Sequence, residues 1–427
     1  MSTDVPGRGM MPPGAGGPQP GQTPMPPAAP NPSTVGSQDP AEAAQVLRLR
    51  AGEAPGNLVR CARCGSSDIR YGIEQGALIC ASCRAQWNEP LLEAEVDLTR
   101  DIDKLRGRTI TTSAQRLVDE TTVTLKCRAC GAEVVLSVDD AVQTRCHWCR
   151  NYLSADGRIP NGAVPDGVIP PTIRREDAVE TIRAFAKDRS FYAHPKFKAE
   201  FAPENVVGVY LPYFVFDGHA EAEVQGEGEI QTATWLEGSK DNKTRYYAAD
   251  VYRLGRKFLM SVDDLLLESS SEHANLDDPA QTNNIINAIL PFDVKRAVHY
   301  NPNYLRGFTS ERRDVNVEAM DAVVEDRLLS IARSKADDMV QDYDRGVRWD
   351  SERVDIRGSR WVTVYLPIWL YSYYQADKGL KHFVAVNGQN GKVMGSIPLN
   401  MLRLSLMTAL VFVVASVVGV ALFLLWR

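Results

Sequence analysis

The sequence predicts an α+β multidomain chain: two small β ribbons in front, a β-rich body with helices behind them, and one C-terminal transmembrane helix. Three observations carry this. All eight cysteines fall into two copies of one spacing. β-Branched and aromatic runs alternate with amphipathic helical stretches across residues 173–398. Residues 404–426 carry no charge.

The cysteines come first because they are the most specific signal. Cys61-x2-Cys64 is followed after fifteen residues by Cys80-x2-Cys83, and Cys127-x2-Cys130 after fifteen residues by Cys146-x2-Cys149. This is the spacing of a four-thiolate zinc site, repeated. Two thiolates two residues apart turn back onto one metal from a tight knuckle, and a second knuckle completes a tetrahedron. Gly65 and Gly131 directly follow the leading pairs and supply the positive backbone dihedral such a turn needs. Disulfides would call for an exported chain, and a redox CxxC pair would occur singly beside a strand–helix unit. Two structural Zn²⁺ ions are therefore expected, on Cys61, Cys64, Cys80 and Cys83, and on Cys127, Cys130, Cys146 and Cys149. Four thiolates leave no open position for catalysis. His147, inside the second set, is expected to be a surface or packing residue rather than a ligand.

Both ends of the chain are unlike its middle. Residues 1–40 hold 11 of the 25 prolines and few large apolar side chains, the composition of a disordered head. The Met1 start lacks a basic segment followed by an apolar run, so no signal peptide is expected. At the other end, LSLMTALVFVVASVVGVALFLLW would span about 35 Å as a helix, enough to cross a hydrocarbon core of about 30 Å. Arg403 and Arg427 bracket it, and Trp426 suits an interface. The expectation is a tail anchor at 403–426 in contact with the lipid bilayer. A reducing compartment for the thiols, together with Lys381, Lys392 and Arg403 on the near side, places the bulk of the chain in the cytoplasm.

Between the ends, residues 41–57 read as a short helix and linker, 58–88 as the first ribbon, 89–121 as a helical connector and 122–153 as the second ribbon. The turn-rich stretch PNGAVPDGVIPP marks a linker at 154–172. An α+β first half follows at 173–315, and a helix-plus-β second half at 316–398. Helices are expected at 176–188 and 317–343, the second with an apolar stripe of Met320, Val323, Val324, Leu328, Ile331 and Met339. Strands are expected at 206–217, 246–260, 361–374 and 381–386, with turns at Asn387-Gly388 and Asn390-Gly391. Gly391-Lys392 is not a phosphate loop, because Val393 stands where Ser or Thr is needed. Val209-Tyr210-Leu211-Pro212 recurs as Val364-Tyr365-Leu366-Pro367, each followed by an apolar–aromatic run, which suggests two related halves. Two buried strands that each begin at a proline would read the same way.

At CHWCR, VYLPYFVFD, ILPFDVKRAVHYNPNYLRGFTSERRDV, YLPIWLYSYY and VNGQNGKVMGSIP, the chain resembles a bacterial family of membrane-anchored proteins with TFIIB-type zinc ribbons. The resemblance covers roughly residues 58–427. It implies zinc ribbons, a membrane anchor and protein partners, in some relatives stress proteins of the phage-shock-A type. The chain departs from the simplest members in its two ribbons and its long head. A replication-helicase activity, sometimes attached to such ribbons, finds no nucleotide-binding loop here.

Charge weighs the function classes. The whole chain has formal net charge −6. Residues 58–153 hold 13 Lys and Arg against 13 Asp and Glu, a balance of zero. Ionised thiolates around zinc add further negative charge, whereas a phosphate-binding surface needs a basic excess. Nucleic-acid binding, with Arg60, Arg63 and Arg84 as its patch, is therefore the second reading, behind a membrane-tethered adaptor that binds protein partners. Enzymatic activity is not expected, and no small-molecule substrate is identified. The six histidines are scattered. The stretch EVQGEGE (Glu223 to Glu229) fits a solvent-facing strand, and Asp217 with His219 is the one acid–base pairing the spacing permits.

Overall fold

The computed structural model describes residues 60–93, 101–111, 122–137, 144–154, 158–202, 205–239, 242–271, 285–375 and 380–426. The expected head at 1–40, the helix and linker at 41–57 and most of the connector lie outside them. In chain order the elements begin with β1 (Ile69–Gly72), β2 (Ala77–Cys80) and β3 (Gln86–Trp87), a separate antiparallel sheet that forms the first ribbon. Then come β4 (Gly107–Ile110), β5 (Thr122–Lys126), β6 (Glu133–Ser137), β7 (Arg158–Ile159), β8 (Gly167–Val168), α1 (Arg175–Asp188) and α2 (Pro195–Glu200). Two long strands follow, β9 (Val206–Ser239) and β10 (Asn242–Glu268), and after them α3 (Ile285–Ile289), β11 (Val298–His299), β12 (Phe308–Glu311) and α4 (Asp321–Asp338). The chain closes with β13 (Val347–Gln375), β14 (Leu380–Asn387), β15 (Val393–Gly395) and α5 (Met401–Leu425).

One sheet runs β11-β8-β13-β9-β12-β6-β5-β7, with β10 beside β9, β14 and β4 beside β13, and β15 beside β14. Its frame is the antiparallel trio β10, β9 and β13. The start of β9 is β-branched and aromatic on both faces, and Val209 to Ala220 are buried without interruption. From there the pattern alternates. Ala220 and Ala222 are buried against α4, Val224, Gly226 and Gly228 continue the buried face with Gly228 under Tyr343, and Glu221, Glu223, Glu227 and Glu229 stay half-exposed on the other. The acidic stretch is thus the wet face of a strand. At about 3.3 Å per residue, the 34 residues of β9 reach on the order of 110 Å.

Two expectations are corrected. Within the connector, the described stretch 101–111 is a 3₁₀ turn (Ile102–Lys104) and the strand β4, paired parallel to Gly358–Trp361 of β13. Backbone geometry decides this. Gly107 adopts φ +63°, and a Cβ on Gly358 would stand 2.3 Å from the Leu105 carbonyl oxygen, so the connector lies flat on a glycine. The predicted helix at 317–343 is a 3₁₀ turn (Val317–Met320) followed by α4. Met339 lies past its end and is 47% exposed, so it is no part of the core stripe.

The two VYLP segments lie side by side. Leu211 faces Leu366, and Tyr210–Pro367 and Pro212–Tyr365 flank that pair. Equivalent contacts surround it. Val209 and Tyr210 pair parallel with Thr309 and Ser310 of β12, and Val364 and Tyr365 with Gly167 and Val168 of β8. Ser269 N–H donates to the Pro212 carbonyl at 3.1 Å, as Gly388 N–H does to the Pro367 carbonyl at 2.9 Å. The Ser269 carbonyl then accepts from Asp314 and Val315, and the Gly388 carbonyl from Thr172 and Ile173. α4 packs on Phe214, Phe216 and Leu267, and α1 on Trp369, Tyr371 and Val386.

Candidate metal centres

Each cysteine pair sits in the same knuckle. The residue four positions after the first cysteine donates its N–H to that cysteine's carbonyl: Gly65 to Cys61, Arg84 to Cys80, Gly131 to Cys127 and Arg150 to Cys146, at 2.7–2.9 Å. All four donors have positive φ, at +73°, +60°, +84° and +61° in that order. The two glycines were legible in the sequence. Arg84 and Arg150 hold the same strained conformation without one.

The thiols converge in two groups of four. Cys61 and Cys83 sulfurs are 3.5 Å apart and Cys64 and Cys80 3.6 Å, and Cys127–Cys149 and Cys130–Cys146 are both 3.6 Å. A tetrahedron with metal–sulfur bonds of about 2.3 Å requires sulfurs about 3.8 Å apart. Both groups therefore fit a metal ion, and the all-thiolate donor set suits a closed site. The neighbouring Cys130 thiolate, with burial added, pushes the Cys146 thiol far above its ordinary range. Four such sulfurs repel one another as anions, and a cation at their centre removes that cost. Asn151 Nδ2 donates to Cys149 Sγ at 3.4 Å, a further support for a thiolate.

The two centres are seated differently. Ile69 and Leu78 of the first ribbon pack against Val168, Tyr210, Tyr304 and Tyr365 of the body. The second ribbon is part of the body's own sheet: Val134 and Val135 of β6 pair with Glu311 and Ser310 of β12. Leu125, Val134, Leu136, Cys127, Cys146 and Cys149 share one core with Leu211, Val364 and Leu366. His147 is buried there as a packing residue, its Nδ1 3.1 Å from Thr309 Oγ1. The neighbouring Trp148 donates to the buried Glu311 carboxylate at 2.6 Å. No sequence signal marked that contact, which joins residues 163 apart.

The permitted acid–base pair does not form. Arg360 donates to Asp217 Oδ2 at 2.6 and 3.1 Å, both residues buried. His219 Nδ1 donates to the Ile102 carbonyl at 2.8 Å, and Arg106 lies 3.4 Å from its Nε2. Asp217, Asp263 and Asp264 do cluster, at a bulge in β10. There Asp217 Oδ1 already accepts the Asp264 N–H at 2.7 Å, so both its oxygens are engaged by protein.

α5 is long and apolar enough to cross a membrane. Asn400 caps it by accepting from Arg403 N–H at 3.2 Å. Its base is tied to the body. Asn400 N–H donates to the Tyr192 carbonyl at 2.7 Å, and Ala193 bridges Leu399. Phe191 and Tyr192, both exposed, stand edge to face at 4.9 Å beside it.

No protein-family model matches the chain, and no solved structure matches it. It is similar to the uncharacterized protein YdjG of Bacillus subtilis (strain 168), at 23% identity over 347 residues, covering 80% of this chain and 90% of that protein.

Proposed function

We propose that the chain is a single-pass, membrane-tethered adaptor. α5 crosses the bilayer, both ribbons carry a structural zinc ion in the TFIIB manner, and the body stands on the cytoplasmic face to hold protein partners. One observation carries the reading: the apolar helix is fastened to a rigid sheet body whose two thiolate centres are closed. Closed centres stiffen a surface and leave no coordination position for substrate. The exposed Phe191–Tyr192 pair at the helix base has the character of an interfacial belt. By resemblance, the partner class is a stress protein of the phage-shock-A type. We also infer that the body arose by duplication of a β-α-β-β unit, β8-α1-β9-β10 and β12-α4-β13-β14. Its support is the repeated hydrogen bonding around the Leu211–Leu366 pair.

The test is affinity purification of the full chain from detergent-solubilised membranes, alongside Cys80→Ser and Cys146→Ser. The expected result is a stoichiometric protein partner that survives moderate salt and is lost with the metal sites. Recovery of chaperones alone, or a partner released by nuclease, refutes the adaptor reading.

A further inference from the structure

The chain enters α5 through a clamp. Tyr192 to His194 run antiparallel to Pro398 to Asn400. Asn400 N–H donates to the Tyr192 carbonyl at 2.7 Å, His194 N–H donates to the Pro398 carbonyl at 2.8 Å, and Ala193 bridges Leu399 between them. One turn into α5, the Arg403 guanidinium donates to the Phe191 carbonyl at 3.4 Å. No charge follows Arg403 until Arg427, so Arg403 marks the headgroup end of the span. Phe191 and Tyr192, tied to that turn, are held at the same depth.

The segment that carries the clamp is basic. Residues 187–198 hold Lys187, Arg189, Lys196 and Lys198 against one acid, Asp188, and Arg403 makes a fifth cation. All five are exposed. Five cations less one acid leave +4, in a chain whose formal net charge is −6. Glu200 stands at the end of α2 away from the clamp. The last carbonyls of α1 point the negative end of a helix dipole toward this region, which would repel an anion. They are taken up locally. Arg189 donates to the Phe185 carbonyl at 3.3 Å and Ser190 N–H to the Lys187 carbonyl at 2.9 Å. The Arg189 carbonyl accepts from Tyr192 and Ala193 at 3.2 and 3.1 Å.

We propose that this basic collar binds the headgroups of anionic phospholipids, with Lys187, Lys196, Lys198 and Arg403 on the phosphates and Phe191 and Tyr192 set between them. The inference rests on α5 crossing the bilayer. Its place at the foot of α5 selects lipid over a soluble anion, because the phosphates nearest to it are those of the leaflet. A basic side chain beside an anionic leaflet is worth about fivefold in affinity.

The test offers the full chain, in neutral detergent micelles at low salt, an equimolar mixture of phosphatidylglycerol and phosphatidylcholine. Native mass spectrometry counts the lipids retained. The expected result is at least about tenfold more phosphatidylglycerol than phosphatidylcholine, an excess lost at roughly 0.5 M salt. Lys196→Gln with Lys198→Gln should bring the two lipids near parity, at about fivefold for each charge, whereas Lys196→Arg with Lys198→Arg keeps the excess. All four side chains replaced are exposed, so the fold is not at risk. Equal retention of the two lipids by the full chain, or an unchanged excess in the Gln pair, overturns the proposal. Alkaline carbonate extraction from phosphatidylcholine vesicles tests the premise separately. A chain that stays in the membrane upholds the span, and a chain released by carbonate removes both the span and the collar.

Discussion

Removing one thiolate from each centre separates their roles. Cys80→Ser and Cys146→Ser each break a closed shell and, on the proposed metal, release one zinc of two. The consequences differ because the ribbons are anchored differently. If the first ribbon leaves the body, the fully buried Ile69 and Leu78 lose their packing, roughly 3–6 kcal/mol at about 1.5–3 kcal/mol per side chain. If the second leaves, the buried Val123, Leu125, Val134 and Leu136 go with it, roughly 6–12 kcal/mol as an upper figure. A folded domain has only about 5–15 kcal/mol in all, so the second loss reaches the body and the first does not. Elemental analysis reads the metal. Hydrogen-exchange mass spectrometry reads the reach of the damage. Cys80→Ser should lose protection within 60–93 alone, whereas Cys146→Ser should also lose it in β12 and the first ten residues of β9. Two zincs retained in either variant, or the same exchange pattern in both, refutes the reasoning.

Three smaller perturbations test the remaining physics. Gly65→Ala meets no atom within 4 Å, so its cost is the left-handed backbone alone, about 1 kcal/mol, and Arg84→Gly should gain roughly 0.5–1 kcal/mol at the equivalent position; zinc loss to a chelator reads both. Burial, with the Asp217 charge added, pushes the Asp264 carboxyl from 3.8 up to about 6, so its protonated form favours the fold and stability falls as pH rises from about 4 through 6. Asp264→Asn should flatten that fall, gaining roughly 1 kcal/mol at pH 7 once partial solvent exposure is discounted; denaturant titration at pH 4 and pH 7 checks it. A chain ending at Pro398 should leave the membrane pellet, and its retention there in high salt would remove α5 as the sole anchor.

Local signals were legible and tertiary ones were not. The helix expected at 176–188 and the strands expected from Val206 and Lys381, each within one residue of its observed start, follow from periodicity and β-branched runs. The true lengths of β9, β10 and β13 do not. The acidic stretch Glu223 to Glu229 reads as a solvent-facing strand, but no local signal joins it to the run that ends at Asp217, because the residues between are small and the stretch itself is glycine-rich. Small residues on its buried face leave room for the chain that follows α4. A Cβ on Gly228 would stand 2.4 Å from the Tyr343 ring. Met339 was misplaced for the converse reason, since an apolar period continued past the residue where the helix ends. The conformations of Arg84 and Arg150 had no glycine to mark them; the cysteine knuckle, closed by their N–H bonds to Cys80 and Cys146, holds them against residue preference.

The seating of the ribbons bears on the reading the sequence left second. A ribbon that reads nucleic acid must offer a free, basic face. Here the apolar face of the first ribbon is spent on Tyr210 and Tyr365, the equivalent tyrosines of the two VYLP segments. The second ribbon has no independent face, since its strands continue the body sheet through β12 and its cysteines lie in the body core. What remains exposed at the first centre is the Cys64 knuckle, with Arg60 and Arg63 beside it and Arg84 across the site. Three arginines next to four thiolates, in a ribbon region whose charges balance to zero, do not make a basic surface. The second cysteine cluster lies within the body's own sheet, whereas the first sits on a separate small sheet packed against the body.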